Sequence, residues 1–242
     1  QSPIINTPEI FFLGINAGDG AYNVKNKGNS NTNLTPLRML GEDEMCFNEL
    51  NWFESGNARG YSERKKWTSY EWYQRDKKIN NSFPQRMIDL LYEIGKLKYP
   101  EEFSKKGYDN NSIPFWYESL GKKIMYTNLY PISTTNYKDL KQIHQELAKL
   151  PEFSQMWKKE GSPDQWHVCL FFIHIINEII KLTKPKLIVC LGKTAFNDFT
   201  YKRTSGNICF DTKNNIPVIG FSRKGNWSGL IPQLAKAIAE KI

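Results

Sequence analysis

The chain of 242 residues carries 33 lysines and arginines against 25 aspartates and glutamates, a formal net charge of +8 at neutral pH. Its length suits one α/β domain with a core that needs no disulfide or metal to hold it, which excludes the small stapled proteins. The basic excess favours a polyanionic partner such as nucleic acid, although lysines that only cover the surface give the same excess.

The first predicted element is a buried strand from Ile10 to Ile15 that runs into the segment Gly14-Ile15-Asn16-Ala17-Gly18. Glycines beside a polar side chain at the carboxyl end of a strand let a ligand or another backbone come close, as in the sites of open α/β sheets. Asn16 is therefore the first candidate for chemistry. An ordinary turn is the alternative.

Residues 19 to 81 are asparagine-rich at first and then mix aromatic with basic side chains. A structureless loop of this length is uncommon inside a compact domain, so we predict an insertion with short helices of its own, packed over one end of the sheet. Interleaved aromatic and cationic residues suit the stacking of single-stranded bases. They also suit a small satellite core with a solvated face.

Further apolar runs and helix signals complete the predicted fold. Three runs predict buried strands, at Lys123 to Leu129, Lys186 to Leu191 and Ile216 to Phe221. Ser82 and Pro84 open one helix, the capping box Ser162-Pro163-Asp164-Gln165 opens a second that ends near Thr183, and a third begins at Leu230. This alternation predicts an α/β fold, a three-layer α/β/α sandwich around a central four-stranded parallel sheet. Residues 1–242 form a single domain in this prediction, with the insertion at about 19–81.

Polar residues follow three of the four predicted strands. They are Asn16, Asn128 and the segment from Ser222 to Trp227. Because the carboxyl ends of parallel strands meet at one edge of a sheet, we expect these residues to face a common crevice. A strand-end cap for Asn128 and a tight polar turn after Phe221 are the alternatives.

Together these segments resemble the motifs of the uracil-DNA glycosylase superfamily. The segment Gly14 to Gly18 is similar to its first motif, in particular the Gly-Ile-Asn-Pro-Gly form of the mismatch-specific branch. The segment Met125 to Pro131 resembles the second strand, which supplies an Asn to the base pocket, and Pro185 to Ala195 resembles the third strand and the helix turn after it. Ile216 to Trp227 stands where the family has its last motif, a loop that enters the DNA minor groove. The order of these motifs spans nearly the whole chain outside the insertion.

The resemblance implies a DNA glycosylase of base-excision repair, which flips a uracil-type base into a pocket and hydrolyses its N-glycosidic bond. In this reading Asn16 orients the water, while Gly14, Ile15, Ala17 and Gly18 line the base. Asn128 reads the Watson–Crick edge of the flipped base, because an amide presents one donor and one acceptor. Phe83 is the preferred stacking residue and Tyr22 the second choice. A hydrophobic staple onto the following helix is the alternative for Phe83.

Two motifs depart from the family pattern. Ala17 stands where the first motif usually has Pro, and Gly220-Phe221-Ser222-Arg223 contains no histidine where the last motif usually begins with one. Ser222 or Arg223 is expected to supply the missing donor to the base. The expected DNA contacts are phosphate contacts from Arg223, Lys224 and Asn226, a further contact from Lys193, and a wedge into the base stack from Trp227.

Two other functions compete with this one. The first is a protein of the same fold that binds DNA, a nucleotide or a base without cleaving it, which the missing histidine favours. The second is a small-molecule enzyme of flavodoxin-like architecture that holds a nucleotide phosphate with the loop from Gly14 to Gly20. A P-loop at Gly192-Lys193-Thr194 is excluded, because Leu187 occupies the position of its leading glycine.

Cysteine, histidine and hydropathy patterns bound the remaining expectations. Neither the four cysteines nor the three histidines show a ligand or disulfide spacing, so we predict no metal and no cofactor. The longest apolar stretch, Val168 to Leu182, is short for a bilayer and contains polar residues, so it predicts a core helix. No signal peptide is visible. We expect a cytoplasmic monomer without membrane contacts, whose partner is DNA with a uracil-type lesion or a mismatch.

Overall fold

A computed structural model describes residues 4–18, 82–101, 120, 123–134, 137–156, 165–223 and 227–242. The predicted insertion at 19–81 and the capping-box residues 162–164 lie outside the described residues. In chain order the described elements are β1 (Ile10–Gly18), α1 (Ser82–Lys98), β2 (Ile124–Thr134), α2 (Tyr137–Ala148), α3 (Pro151–Met156), α4 (Gln165–Thr183), β3 (Leu187–Cys190), α5 (Lys193–Thr200), β4 (Ile208–Lys213), β5 (Ile216–Phe221), a 3-10 helix (Trp227–Leu230) and α6 (Ile231–Ala239).

The strands form one mixed, mostly parallel sheet, which confirms the α/β class. Its order is β2-β1-β3-β5-β4. Strand β1 pairs in parallel with β3, where Leu13 is the partner of Cys190, and β3 pairs in parallel with β5, where Cys190 is the partner of Gly220. These buried, Val- and Ile-rich strands have the continuous apolar sequence expected of a sheet covered on both faces.

The prediction of four strands is wrong, because the described sheet has a fifth strand. Strand β4 pairs antiparallel with β5 and is the outermost strand of the described sheet on that side. The two strands are joined through Asn214 and Asn215, whose φ angles are 52° and 64°. Two consecutive residues in the left-handed region match the turn that fits the twist of a two-residue hairpin, and Asn tolerates that region better than most residues.

One face of the sheet packs against α1 and α6. Side chains at alternate positions of the strands, among them Phe12, Val189 and Phe221, share a buried cluster with one side of each helix. In α6 the buried positions are Ile231, Leu234, Ala235 and Ile238, the spacing of a helix that covers a core. Each fully buried leucine or isoleucine side chain contributes about 1.5–3 kcal/mol to stability through the hydrophobic effect.

The chain divides into two compact units. The first comprises residues 1–15, 67–127 and 180–242, and the second comprises residues 16–66 and 128–179. Within the second unit, Ala148 of α2, Phe153 of α3 and Val168 of α4 share a small buried cluster, to which Phe171 and Phe172 of α4 are added at its margin. The single domain with an insertion stays a prediction.

Helix α4 is, among the described helices, the one long and apolar enough to cross a membrane by length and composition alone. About a third of its most apolar 18-residue window is buried inside the protein. Core helices of soluble proteins pass the same test, so this finding is weak evidence for a membrane span. The cytoplasmic location stays a prediction.

The described cysteines are buried thiols. Cys190 in the middle of the sheet is 0 % exposed, Cys209 of β4 is 4 % exposed and Cys169 of α4 is 8 % exposed. Burial raises the pKa of Cys190 far above its usual range, because a thiolate has no solvent to stabilise it there. Cys190 therefore behaves as a small core side chain.

Candidate functional site

The candidate site lies at the carboxyl ends of β1 and β3, which are neighbouring parallel strands. The chain leaves β1 toward β2 on one side, whereas it leaves β3 toward β4 and then β5 on the other side. Neighbouring strands whose connections diverge in this way leave a crevice at their carboxyl ends, where ligands bind in open α/β proteins. Here the backbone N–H of Leu191 donates to the carbonyl of Leu13 at 2.8 Å, and the buried Gly14 follows directly.

Gly192 shapes this edge through its backbone conformation. It follows β3 with a φ of 126°, a value that L side chains rarely adopt, and it precedes the first residue of α5. A Cβ atom at this position would lie 3.4 Å from Cδ of Arg223. The aliphatic part of Arg223 therefore lies close to Gly192, and it is the positive φ that favours a glycine at this position.

Arg223 brings a positive charge to the same edge. Its Nη1 atom donates to the carbonyl oxygen of Leu191 at 3.5 Å, a long hydrogen bond, and the residue is exposed to solvent. The pKa of Arg223 is lowered mainly because nearby protein atoms displace water from the guanidinium. The charge of Arg86 lowers the pKa further, while the phenol of Tyr126 acts in the opposite direction.

Arg86, which sequence reasoning did not single out, contacts Trp227. Cζ of Arg86, on α1, lies 5.9 Å from the centre of the Trp227 ring, within the range of a cation–π contact. The Trp227 ring in turn lies 4.9 Å from the ring of Phe221, the last residue of β5.

The prediction that Trp227 is a wedge into the base stack is wrong. Its side chain is 2 % exposed and belongs to the cluster between the sheet, α1 and α6. The residues Trp227, Ile231 and Leu234 are spaced four and three apart, so Trp227 extends the apolar stripe of α6 by one turn. This spacing is the signal in the sequence that identifies Trp227 as a core residue.

The structure changes the predicted place of Asn128. It lies within β2, which continues to Thr134, and not after the end of the strand. Its side chain is 7 % exposed, and Thr127 before it is 8 % exposed. The predicted strand ended at Leu129, whereas β2 continues through Pro131, which is tolerated because β2 lies at an edge of the described sheet.

The other predicted site residues fall in three groups. Asn16, Ala17 and Gly18 are the last three residues of β1, directly after the half-buried Ile15, and Phe83 is the second residue of α1. Tyr22, Lys224 and Asn226 lie outside the described residues.

The third group is Ser222 and Lys193, which donate hydrogen bonds to the segment before β4. The backbone N–H of Ser222 donates to the carbonyl of Asn207 at 2.8 Å. The ammonium of Lys193 donates to the carbonyl of Ser205 at 2.8 Å. The DNA contact of Lys193 stays a prediction.

The second unit contains a buried histidine that sequence reasoning did not single out as a site. His144 of α2 is 1 % exposed, and its Nδ1 atom lies 3.2 Å from Sγ of Cys169 on α4. Tyr130 packs edge-on against the imidazole with ring centres 4.8 Å apart, and the Phe172 ring lies 5.9 Å away. Burial lowers the pKa of His144 to about 4. The imidazole is therefore neutral at physiological pH and acts as part of an aromatic core.

No three His, Cys, Asp or Glu side chains within the described ranges lie close enough together to hold a metal ion. At the carboxyl ends of β1 and β3 the structure offers the positive charge of Arg223 and backbone groups that a ligand can approach. Both suit an anionic ligand.

A scan against protein-family models finds no match to this chain, and a search of curated proteins finds none either. The family resemblance stays a proposal.

Proposed function

We propose that this chain is a DNA glycosylase-like enzyme that removes a uracil-type base in base-excision repair. The observation that carries the proposal is the coincidence of two independent features, the diverging connections of β1 and β3 and the segment from Gly14 to Gly18 at the carboxyl end of β1. The diverging connections indicate a ligand crevice from the topology of the sheet, and the segment from Gly14 to Gly18 indicates one from the sequence. We further propose that the five-stranded sheet is the middle layer of a three-layer sandwich of the uracil-DNA glycosylase type.

The proposed reaction explains why an asparagine serves at this position. Hydrolysis breaks the bond between the base and C1′ of the sugar, water adds its oxygen to C1′, and the departing base takes a proton. The sugar carries positive character in the transition state while negative charge builds on the base. Asn16 orients the water through its amide, and Asn128 recognises the edge of the flipped base. Ser222 or Arg223 donates to the base as it leaves.

A protein of the same fold that binds DNA without cleaving it is the second candidate. The observation in its favour is that Gly220-Phe221-Ser222-Arg223 contains no histidine where the family's donor stands. The exposed Arg223 is a strong electrostatic partner for a phosphate, whereas its permanent charge makes it a poor proton donor. Both candidates use the same edge of the sheet.

Base release from defined oligonucleotides tests the proposal. The protein is incubated with single strands and mismatched duplexes that contain uracil, hypoxanthine or xanthine, and abasic sites are cleaved with alkali. We expect cleavage of at least one substrate and a loss of about 100-fold or more in the Asn16→Ala variant, because a misplaced water costs that much.

The matched control is Asn6→Ala, which makes the same chemical change at an exposed residue before β1. It should leave the rate unchanged. Salt-sensitive DNA binding without base release would identify the binding protein, and release that survives Asn16→Ala would remove Asn16 from the reaction. If neither DNA binding nor base release is seen, the small-molecule alternative takes precedence.

A further inference from the structure

The outer edge of strand β4 carries backbone groups that β5 does not use. Asn207, just before β4, accepts a hydrogen bond from the backbone N–H of Ser222 at 2.8 Å, and Lys213 faces Ile216 across the two-residue turn. In an antiparallel pair, residues that bond to the neighbouring strand alternate with residues whose backbone groups point away from it. Because the odd-numbered residues of β4 bond to β5, the even-numbered ones point outward. They are Ile208, Phe210 and Thr212.

No described strand lies on that outer side, since β4 is the last strand in the order of the described sheet. Phe210, at the middle of this edge, is 61 % exposed, and Thr212 is exposed as well. An open edge strand with an exposed large apolar side chain is a template for pairing with another chain. Strand β4 also contains no proline, which would interrupt such pairing.

Both charged residues of β4 interact with their own chain. The ammonium of Lys202 donates to the carboxylate of Asp211 at 2.6 Å. The ammonium of Lys213 donates to the carbonyl of Phe199 and lies 4.2 Å from the centre of the Phe199 ring. Natural edge strands commonly use charged side chains to keep another strand away. Here both charges are engaged by α5 and the residues after it, so they give the edge little protection.

A second copy of β4 fits this edge in one register. Two-fold symmetry places one residue opposite itself at the axis and pairs the residues on either side in reversed order. With Phe210 at the axis, Ile208 of each copy faces Thr212 of the other, so all three outward residues form hydrogen-bonded pairs. Any other two-fold register leaves at least one of these residues without a partner from β4.

The charges of the strand are compatible with the same register. Asp211 faces Cys209 of the second copy and Lys213 faces Asn207 of the second copy, so like charges do not meet directly. A register centred on Asp211 would place two carboxylates opposite each other. With Phe210 at the axis, the two aromatic rings lie side by side, and each removes exposed apolar surface of the other from water.

We propose that β4 pairs antiparallel with β4 of a second copy of this chain, with the two-fold axis at Phe210, so that the two sheets become continuous. The monomer expected from the sequence is the alternative. Because the interface is short, the dimer forms at high protein concentration. The inference is independent of the proposed function, since it uses neither Asn16 nor the carboxyl ends of β1 and β3.

Sedimentation equilibrium over a range of protein concentrations tests the dimer. We expect the average mass to rise with concentration toward twice that of one chain. Phe210→Lys should weaken association by about tenfold or more, because the aromatic pair is lost and two like charges face each other at the axis. The matched control is Leu97→Lys, which makes a similar change at an apolar residue of α1 that is 53 % exposed. It should leave association unchanged.

Cysteine cross-linking tests the register. In a background with Cys46 replaced by serine, Phe210→Cys places two thiols at the axis, where facing Cα atoms are about 5.5 Å apart and within disulfide range. In Thr212→Cys the two thiols are displaced by four residues along the strands, roughly 13 Å. With an added oxidant we expect rapid formation of covalent dimer in the first variant and little in the second.

Three results would overturn the inference. A chain that stays monomeric up to its solubility limit forms no such dimer. An association that Phe210→Lys does not weaken uses another surface, and equal cross-linking of the two cysteine variants contradicts the register. The unfolding temperature of Phe210→Lys, measured where the chain is monomeric, checks that the variant is folded, and the cysteine variants keep the test valid if it is not. Base release is scored separately and contributes to none of these results.

Discussion

Replacing Gly220 by alanine lowers the free energy of unfolding by about 3 kcal/mol, because the new methyl group has no room. A Cβ at this position of β5 would lie 2.5 Å from Cγ and Cδ2 of Phe196 and 2.6 Å from its Cβ. Phe196 is 0 % exposed on α5 and belongs to a packed core, so the ring has no solvent-filled space to move into. Urea unfolding, followed by circular dichroism, measures the loss.

Gly229→Ala is the matched control for this variant. Gly229 lies in the 3-10 helix, and a Cβ there would meet no atom within 4 Å. Both substitutions reduce the backbone freedom of the unfolded chain equally, so the difference between them isolates the clash. Equal stabilities of the two variants would show that α5 moves away from β5 at little cost. In a Phe196→Ala background, which removes the Cγ and Cδ2 atoms that the new methyl group would meet, the effect of Gly220→Ala should shrink.

Acidification from pH 6.5 to about pH 4 removes about 3 kcal/mol of stability through His144. Burial lowers the pKa of this imidazole to about 4, whereas in the unfolded chain it has its usual value near 6.5. Between these two pH values the unfolded state binds the proton and the folded state does not, so the equilibrium shifts toward unfolding as the pH falls. Above pH 6.5 this contribution is fully present.

His144→Phe tests this prediction, because it fills the space between Tyr130 and Phe172 with a ring that does not titrate. We expect the urea midpoint of this variant to change much less between pH 6.5 and 4.5 than that of the unaltered chain, once the decline common to both is subtracted. His174→Phe makes the same substitution at an exposed position of α4 and should keep the full pH dependence. A parent-like pH profile in His144→Phe would assign the acid sensitivity to the carboxylates.

The buried strands and the helices that cover them could be predicted from apolar runs and caps. Strands β1, β3 and β5 read as continuous apolar sequence because both of their faces are covered, and α4 ends at Thr183 as expected. Strand β4 was missed because an edge strand with exposed residues such as Phe210 and Thr212 has no such run. Its turn is Asn-Asn, which is a weaker hairpin signal than Asn-Gly.

The candidate site was harder to predict than the fold. Residues that are distant in the sequence and close in the folded chain leave no local pattern in the sequence. Arg86 reads as one cation of an amphipathic helix, and only the folded chain places its guanidinium over the ring of Trp227. Trp227 was misjudged for a different reason. The resemblance of its segment to a loop that enters the DNA minor groove suggested an exposed side chain, whereas its helical spacing to Ile231 and Leu234 was the stronger signal.

The burial of three thiols makes the folded chain resistant to alkylating reagents at these positions. The rate at which each cysteine is alkylated therefore measures how often the structure around it opens. Cys169 reports on the second unit, while Cys190 and Cys209 report on the first. Because the centre of a sheet opens only when the whole sheet separates, Cys190 would mark global opening and Cys209 the release of the β4 edge. With Cys46 replaced by serine, mass spectrometry of a timed alkylation would compare the lifetimes of the two units in one sample.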